Sequence, residues 1–189
     1  MADFHQNGVI STLHNFSHRT VDDIENELRT FSKDAPIELI LPSLYSELER
    51  PALKNIVECL SKVKYLNHIT IGLDKANKSQ FKNAKKFFSN LNQSHSVIWN
   101  DSPRMKKLDK NLQSLGLAPD EPGKGKNVWY CMGYTFARGE AKSIALHDCD
   151  ITTYNRELLA RLVYPVANPN FNYEFCKGYY PRITNGTLG

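Results

Sequence analysis

The segment Ala145-Leu146-His147-Asp148-Cys149-Asp150-Ile151-Thr152 is the most informative in the chain. The short apolar run from Ser143 to Leu146 reads as a buried strand, and it ends abruptly in two carboxylates separated by one residue. If the chain stays extended there, residues two apart point the same way. Asp148 and Asp150 then face one site while Cys149 turns to the other side. Two carboxylates so placed repel unless a cation or a shared proton sits between them. Mg²⁺ or Mn²⁺ is the natural guest, a hard, oxygen-seeking ion usually held by one or two carboxylates together with substrate phosphates. The competing reading is a solvated loop in which Asp150 caps the next helix. A position at the end of an apolar strand favours the site over the cap.

Working outward, the chain repeats one alternation. Thr20 reads as the N-cap of a helix carrying Val21, Ile24, Leu28 and Phe31 at helical spacing. Asp34-Ala35-Pro36 breaks it, Ile37 to Leu41 is a short buried strand, and Pro42 to Ser46 is a loop. Pro51 suits the first turn of a helix with Leu53, Ile56, Val57, Leu60 and Val63 on one face. Ile69 to Leu73 is a second strand ending at Asp74. Phe81, Ala84, Phe87, Phe88 and Leu91 mark the next helix, and Ser96 to Trp99 a third strand. Met105 to Leu115 reads as a basic helix, Pro119 to Lys126 as a Pro- and Gly-rich loop, and Val128 to Ala137 as a buried helix. After the fourth strand come a helix from Asn155 to Val163, ended by Pro165, and a further strand from Glu174 to Tyr180. The fold class expected is α/β, a mostly parallel sheet with helices on both faces. In such sheets ligands bind beyond the carboxyl ends of the strands. The loop from Pro42 to Glu47, Asp74, and the Asp148/Asp150 pair all land there. Residues 1–16 lack periodicity and read as a flexible or docking arm, ahead of one domain over 17–189.

Composition narrows the class. With 189 residues, 41% apolar and 23% charged, the chain is an ordinary globular one. No run approaches the roughly 18 apolar residues of a membrane span, and no signal pattern opens the sequence, so a cytoplasmic protein without membrane contact is expected. Cys59, Cys131, Cys149 and Cys176 form no C-x-x-C pair and read as reduced, mostly buried thiols. The net charge is +4, with eleven Lys/Arg against four Asp/Glu between Lys75 and Lys126 and thirteen against sixteen elsewhere. That excess suits an anionic ligand, although Lys82, Lys85 and Lys86 fall on the solvated face of a helix. No nucleic-acid reader motif accompanies it, and no nucleic-acid partner is expected.

Two enzyme classes place D-x-D at a strand end. In nucleotide-sugar glycosyltransferases the pair holds a metal on the donor diphosphate. In aspartate-nucleophile phosphatases the signature is D-x-D-x-T, which Asp148 to Thr152 matches literally. Position favours the transferase: the phosphatase motif belongs on the first strand, whereas here 147 residues precede the pair and fewer than forty follow it. Gly123-Lys124-Gly125 fits the same reading. A lysine flanked by glycines can approach a diphosphate closely, and no P-loop signature is present.

Four segments in order then resemble one family. Pro42-Ser43-Leu44-Tyr45-Ser46-Glu47 is similar to the P-A-L-N-E-E loop of glucosyl-3-phosphoglycerate synthases, and Pro122-Gly123-Lys124-Gly125 to their P-G-K-G loop. Asp148-Cys149-Asp150 resembles their D-S-D or D-C-D metal motif, and Cys176 to Arg182 their K-S-F/Y-Y-R strand. Order and spacing agree from about residue 36 onward. The resemblance implies a retaining transferase on a GT-A, Rossmann-like fold. It would move glucose from a nucleoside-diphosphate glucose to 3-phosphoglycerate with Mg²⁺ or Mn²⁺, as a homodimer when full length. By motif match Leu44, Glu47 and Asp74 would contact base and ribose, Lys124 the diphosphate, and Asp148 and Asp150 the ribose and metal. Pro42, Ser43, Gly123 and Cys149 belong to the same donor-binding motifs.

The departures are specific. Ser46 stands where the family often has Glu, and Asp74-Lys75-Ala76 replaces D-S-G. The family's G-R-V-T-like acceptor loop is expected near Asn185 to Gly189, and its metal-binding histidine lies later still. None of His5, His14, His18, His68, His95 and His147 is placed for that role, and His147 reads as a core histidine. The sequence therefore suggests the donor-binding part of a longer enzyme. The alternatives are a nucleotide-sugar-binding module without turnover and, behind it, the phosphatase.

Overall fold

The computed structural model describes residues 19–171 and 173–178 and the backbone of the short strands Ile183–Thr184 and Thr187–Leu188. The expected arm at 1–16 and the Tyr179–Arg182 end of the fourth motif lie outside these residues.

Capping fixes the first helix, α1 (Val21–Asp34). Thr20 accepts from the Asp23 N–H while the Asp23 carboxylate takes the Thr20 N–H, a reciprocal pair that satisfies two orphan donors. Strand β1 (Ile37–Leu44) follows, then a 3₁₀ turn (Tyr45–Glu49) and α2 (Pro51–Ser61), which opens on its proline. Next come β2 (Leu66–Asp74), α3 (Lys78–Phe88), β3 (His95–Trp99), α4 (Pro103–Ser114), α5 (Lys124–Arg138), β4 (Ser143–Leu146) and α6 (Arg156–Ala167). The residue pairs Ile183–Thr184 (β5) and Thr187–Leu188 (β6) form a small antiparallel ladder that the sequence reading did not anticipate.

The main sheet is parallel throughout, in the order β3-β2-β1-β4. The chain builds outward from β1 to β3, then returns to lay β4 on the other side of β1. The crevice at that reversal, above the strand C-termini, is where such sheets bind ligands. One face of the sheet is apolar: Leu39, Leu41, Ile69, Ile71 and Ala145 join Ile24 and Leu28 of α1, Leu53 and Ile56 of α2, Phe88 of α3, and Leu159 and Val163 of α6 in one core cluster. Helix α5 covers the opposite face over β1 and β2.

Five expectations change. Pro42 to Leu44 is not loop but the end of β1, still in register with Gly72 to Asp74. β4 has already stopped opposite Ile40, so a residue without an N–H is tolerated there. Lys124 to Lys126 is not loop but the first turn of α5, because Gly123 adopts φ 130°, a conformation open to glycine, and swings the chain into the helix. Helix α5 is buried on one side only, with Trp129 and Phe136 exposed. Pro165 does not end α6 but lies inside it, buried near the last turn where one lost main-chain bond costs least. No strand occurs between Glu174 and Gly178.

Candidate functional site

Each strand of the main sheet delivers a polar residue to one rim. β1 ends at Ser43 and Leu44 with Glu47 in the following turn, β2 at Asp74, β3 at Trp99 just before Asn100 and Asp101, and β4 at Leu146 just before Asp148. Ser43, Leu44, Glu47, Asp74, Asn100, Asp101 and Asp148 line a cleft of about 560 Å³ together with Gly123 and Lys124. Every donor-site residue expected from the sequence is there: Pro42, Ser43, Leu44, Glu47, Asp74, Gly123, Lys124, Asp148, Cys149 and Asp150.

The acidic pair is presented differently from the extended segment expected. Cys149 and Asp150 lie in a turn, and the N-cap of α6 is Asn155, whose side chain accepts the Leu158 N–H at 2.8 Å. Asp150 therefore caps nothing. It is exposed on the cleft rim and carries no ion pair among the described residues. Cys149 is buried against Ser43, and burial pushes its thiol up to about 12, so it stays neutral beneath the pair. His147 is a core residue, as expected: its Nδ1 lies 3.1 Å from Tyr154 Oη, and burial holds its imidazole down at about 4.

Lys124 forms an ion pair with Asp148 across the cleft. Both side chains are about half exposed, so the contact is weak in itself. Its value is positional, because it shows that the carboxylate and the first turn of α5 meet at one point. The free N–H groups of that turn and the helix dipole add an anion-attracting end beside the lysine. At the β2 end of the cleft, burial raises the carboxyl of Asp74, and hydrogen bonds from Asn100 and Asn127 partly offset this. Two acceptors of the cleft wall, Glu47 Oε2 and Asn100 Oδ1, are buried without a donor among the described residues. Water, or a ligand that brings N–H or O–H groups, would satisfy them.

The sequence reading missed Lys75, Asn100, Asp101, Met105, Lys106, Asp109, Lys126, Asn127 and Tyr130 of the lining. Asn100 and Asp101 carried a usable signal, since they lie within two residues of a strand end, as Asp148 does. Asn127 carried none, because nothing local tells which side of a helix meets the sheet. Among the described residues no cluster of three or more His, Cys, Asp or Glu side chains could hold a metal. The two rim carboxylates alone fit only a hard cation that takes its remaining ligands from water or a bound anion, as Mg²⁺ commonly does.

A parallel sheet with an acidic pair at its rim, facing a helix N-terminus, is the GT-A, Rossmann-like architecture of nucleotide-diphospho-sugar transferases. A solved glucosyl-3-phosphoglycerate synthase from Mycobacterium tuberculosis, in complex with Mn²⁺, UDP and glucosyl-3-phosphoglycerate, shares this fold. The TM-score is 0.52 at 16% identity, over 83% of this chain and 47% of that one. Sequence gives the closer relation. The chain is 48% identical over its full 189 residues to a glucosyl-3-phosphoglycerate synthase of Persephonella marina, and 36% identical over 182 residues to one of Methanococcoides burtonii. No family model matches the chain. The chain is a homologue of the glucosyl-3-phosphoglycerate synthases, and it spans about half the length of the curated relatives it matches, 47% and 44%. No helix among the described residues is long and apolar enough to cross a membrane.

Proposed function

We propose that this chain supplies the donor-binding half of a retaining glucosyltransferase, which moves glucose from a nucleoside-diphosphate glucose to 3-phosphoglycerate. The observation that carries the reading is the meeting of Lys124 and Asp148 at one rim, where the first turn of α5 faces the acidic pair. A diphosphate lying there takes charge from Lys124 and from the amides of the first helical turn. Those same groups stabilise the extra charge that develops as the sugar departs. Asp148 and Asp150 are the residues that would hold Mg²⁺ or Mn²⁺, and Asp148 would also reach the ribose. A divalent ion there supplies Lewis-acid stabilisation of the leaving diphosphate. Leu44 and Glu47 border the base, with Asp74 at the ribose. The orphaned acceptors Glu47 Oε2 and Asn100 Oδ1 supply the need for a base with ring N–H groups. Retention requires neither aspartate to act as a nucleophile.

The phosphatase reading loses support because its signature sits after the fourth strand of the sheet rather than the first. The reading extends to a homodimer in the complete enzyme, carried by the family resemblance; light scattering of the complete enzyme tests it. The decisive assay supplies the complete enzyme containing this chain with UDP-glucose, Mg²⁺ and 3-phosphoglycerate and measures nucleoside diphosphate release. Release that depends on all three is the expected result. UDP binding without release identifies a non-catalytic module, and phosphate release from a phosphomonoester without nucleotide identifies the phosphatase.

A further inference from the structure

Helix α5 is keyed to the sheet by one buried amide. Asn127 is 3% exposed; its Nδ2 donates to the Gly72 carbonyl at 2.9 Å and to Asp74 Oδ2 at 3.0 Å, and its Oδ1 accepts from Cys131 Sγ at 3.4 Å. The space it fills exists because residue 72 lacks a side chain. A Cβ there would lie 1.7 Å from Asn127 Oδ1 and 2.6 Å from Cys131 Sγ. Gly72 is thus a close-approach glycine in the middle of a sheet, not a turn residue. The other oxygen of Asp74 accepts from Asn100 Nδ2 at 2.8 Å. Each carboxylate oxygen is therefore held by a separate amide, one from the segment after β3 and one from α5. The remaining lone pairs are left for a ligand in the cleft that Asp74 lines.

Asn127 also acts at its main chain. Its N–H bonds the Gly123 carbonyl at 3.1 Å and so closes the first turn of α5, the turn that begins with Lys124. One residue thus touches both ends of the proposed donor site: the carboxylate at the nucleoside end and the helix start at the diphosphate end.

We propose that Asn127 is a positioning residue for donor binding: seated in the gap at Gly72, it aims the Asp74 carboxylate and sets the first turn of α5, with Lys124, over the same cleft. This rests on the donor-site reading above. Both amides donate to the ionised form of Asp74 and favour it, while burial and neighbouring Asp101 oppose ionisation and Lys75 assists it. The Cys131 thiol, pushed up to about 12 by burial, contributes no charge near neutral pH. Removing the Asn127 amide takes away one donor, so a ligand that needs the carboxylate ionised is lost at a higher pH.

The test is calorimetric titration of UDP in the presence of Mn²⁺, across pH, for the wild type and Asn127→Ala, with melting followed in parallel. The wild type binds, the variant binds about tenfold more weakly, and its acid-side loss of binding moves to higher pH. If Asn127→Ala melts too low to titrate, Asn127→Asp, of the same size, replaces the donor by a second carboxylate facing Asp74 and produces a larger loss with the same direction of pH shift. A wild type that does not bind UDP contradicts the donor-site reading itself. A wild type that binds, with variants that lose melting temperature but keep the wild-type affinity and pH dependence, leaves the donor site standing and overturns the positioning role.

Discussion

The two faces of one sheet are built on different principles. Toward α1, α2, α3 and α6, β1 and β2 present Leu39, Leu41, Ile69 and Ile71, all fully buried in a continuous apolar cluster. Toward α5 the alternate positions of the same strands are Glu38, His68, Thr70 and Gly72, with the buried Ile40 beside Thr70. Glu38 is fully buried with Arg138 Nε at 3.4 Å, and the His68 ring lies between Ser94 Oγ at 2.9 Å and Ser96 Oγ at 3.1 Å. Apolar burial is non-directional and stabilises in proportion to area, so the first face carries the stability. Hydrogen bonds add little net stability but are strict about geometry. The second face therefore fixes where one helix lies, and that helix starts at the cleft. The two faces divide the labour: stability below the sheet, position above it.

The largest expected effect breaks the apolar face. Leu39→Ala should cost about 3 kcal/mol in denaturant unfolding while leaving the affinity of the folded protein for UDP unchanged. On the polar face, Arg138→Met strands the Glu38 carboxylate and should cost about 2 kcal/mol. Adding Glu38→Leu should then recover much of it, since an apolar pair leaves no charge unpaired. A double variant no better than the single would deny the pairing.

The two buried histidines, one on each face, sharpen the comparison by pH. Burial lowers His68, with Arg138 adding to the effect, and burial lowers His147; both sit at about 4. The unfolded chain takes up these protons near pH 6.5 and the folded chain only near 4. Stability should therefore hold above pH 6.5 and fall between 6.5 and 4, by up to about 1.4 kcal/mol per pH unit for each histidine. His68→Gln should remove its share of that slope in pH-dependent unfolding. Smaller again, Thr20→Ala removes the α1 cap and should cost about 1 kcal/mol. Lys85→Ala, on the solvated face of α3, should stay within about 0.5 kcal/mol.

The apolar face was legible in the sequence and the polar face was not. Short apolar runs located β1 to β4, and apolar residues at period 3.6 located the helices, because burial against a single core writes itself into local spacing. Glu38, His68 and Thr70 broke that pattern without showing which helix would answer them. The residues expected to bind a donor all line one cleft, since strand ends in a parallel sheet share a rim. The errors came from backbone choices that composition misreports. Gly123 starts a helix instead of prolonging a loop, Pro165 sits within a helix, and the chain turns at Cys149 where simple alternation would keep it extended.

The central claim is that the rim carboxylates and the first turn of α5 together bind a metal-bound diphosphate. Titrating UDP into the protein with and without Mn²⁺, for the wild type and Asp150→Ala, tests it most directly. The account predicts that Mn²⁺ tightens wild-type binding at least about tenfold, and that Asp150→Ala abolishes the metal effect without lowering the melting temperature. Equal UDP affinity with and without Mn²⁺, or an unchanged metal effect in Asp150→Ala, would contradict it.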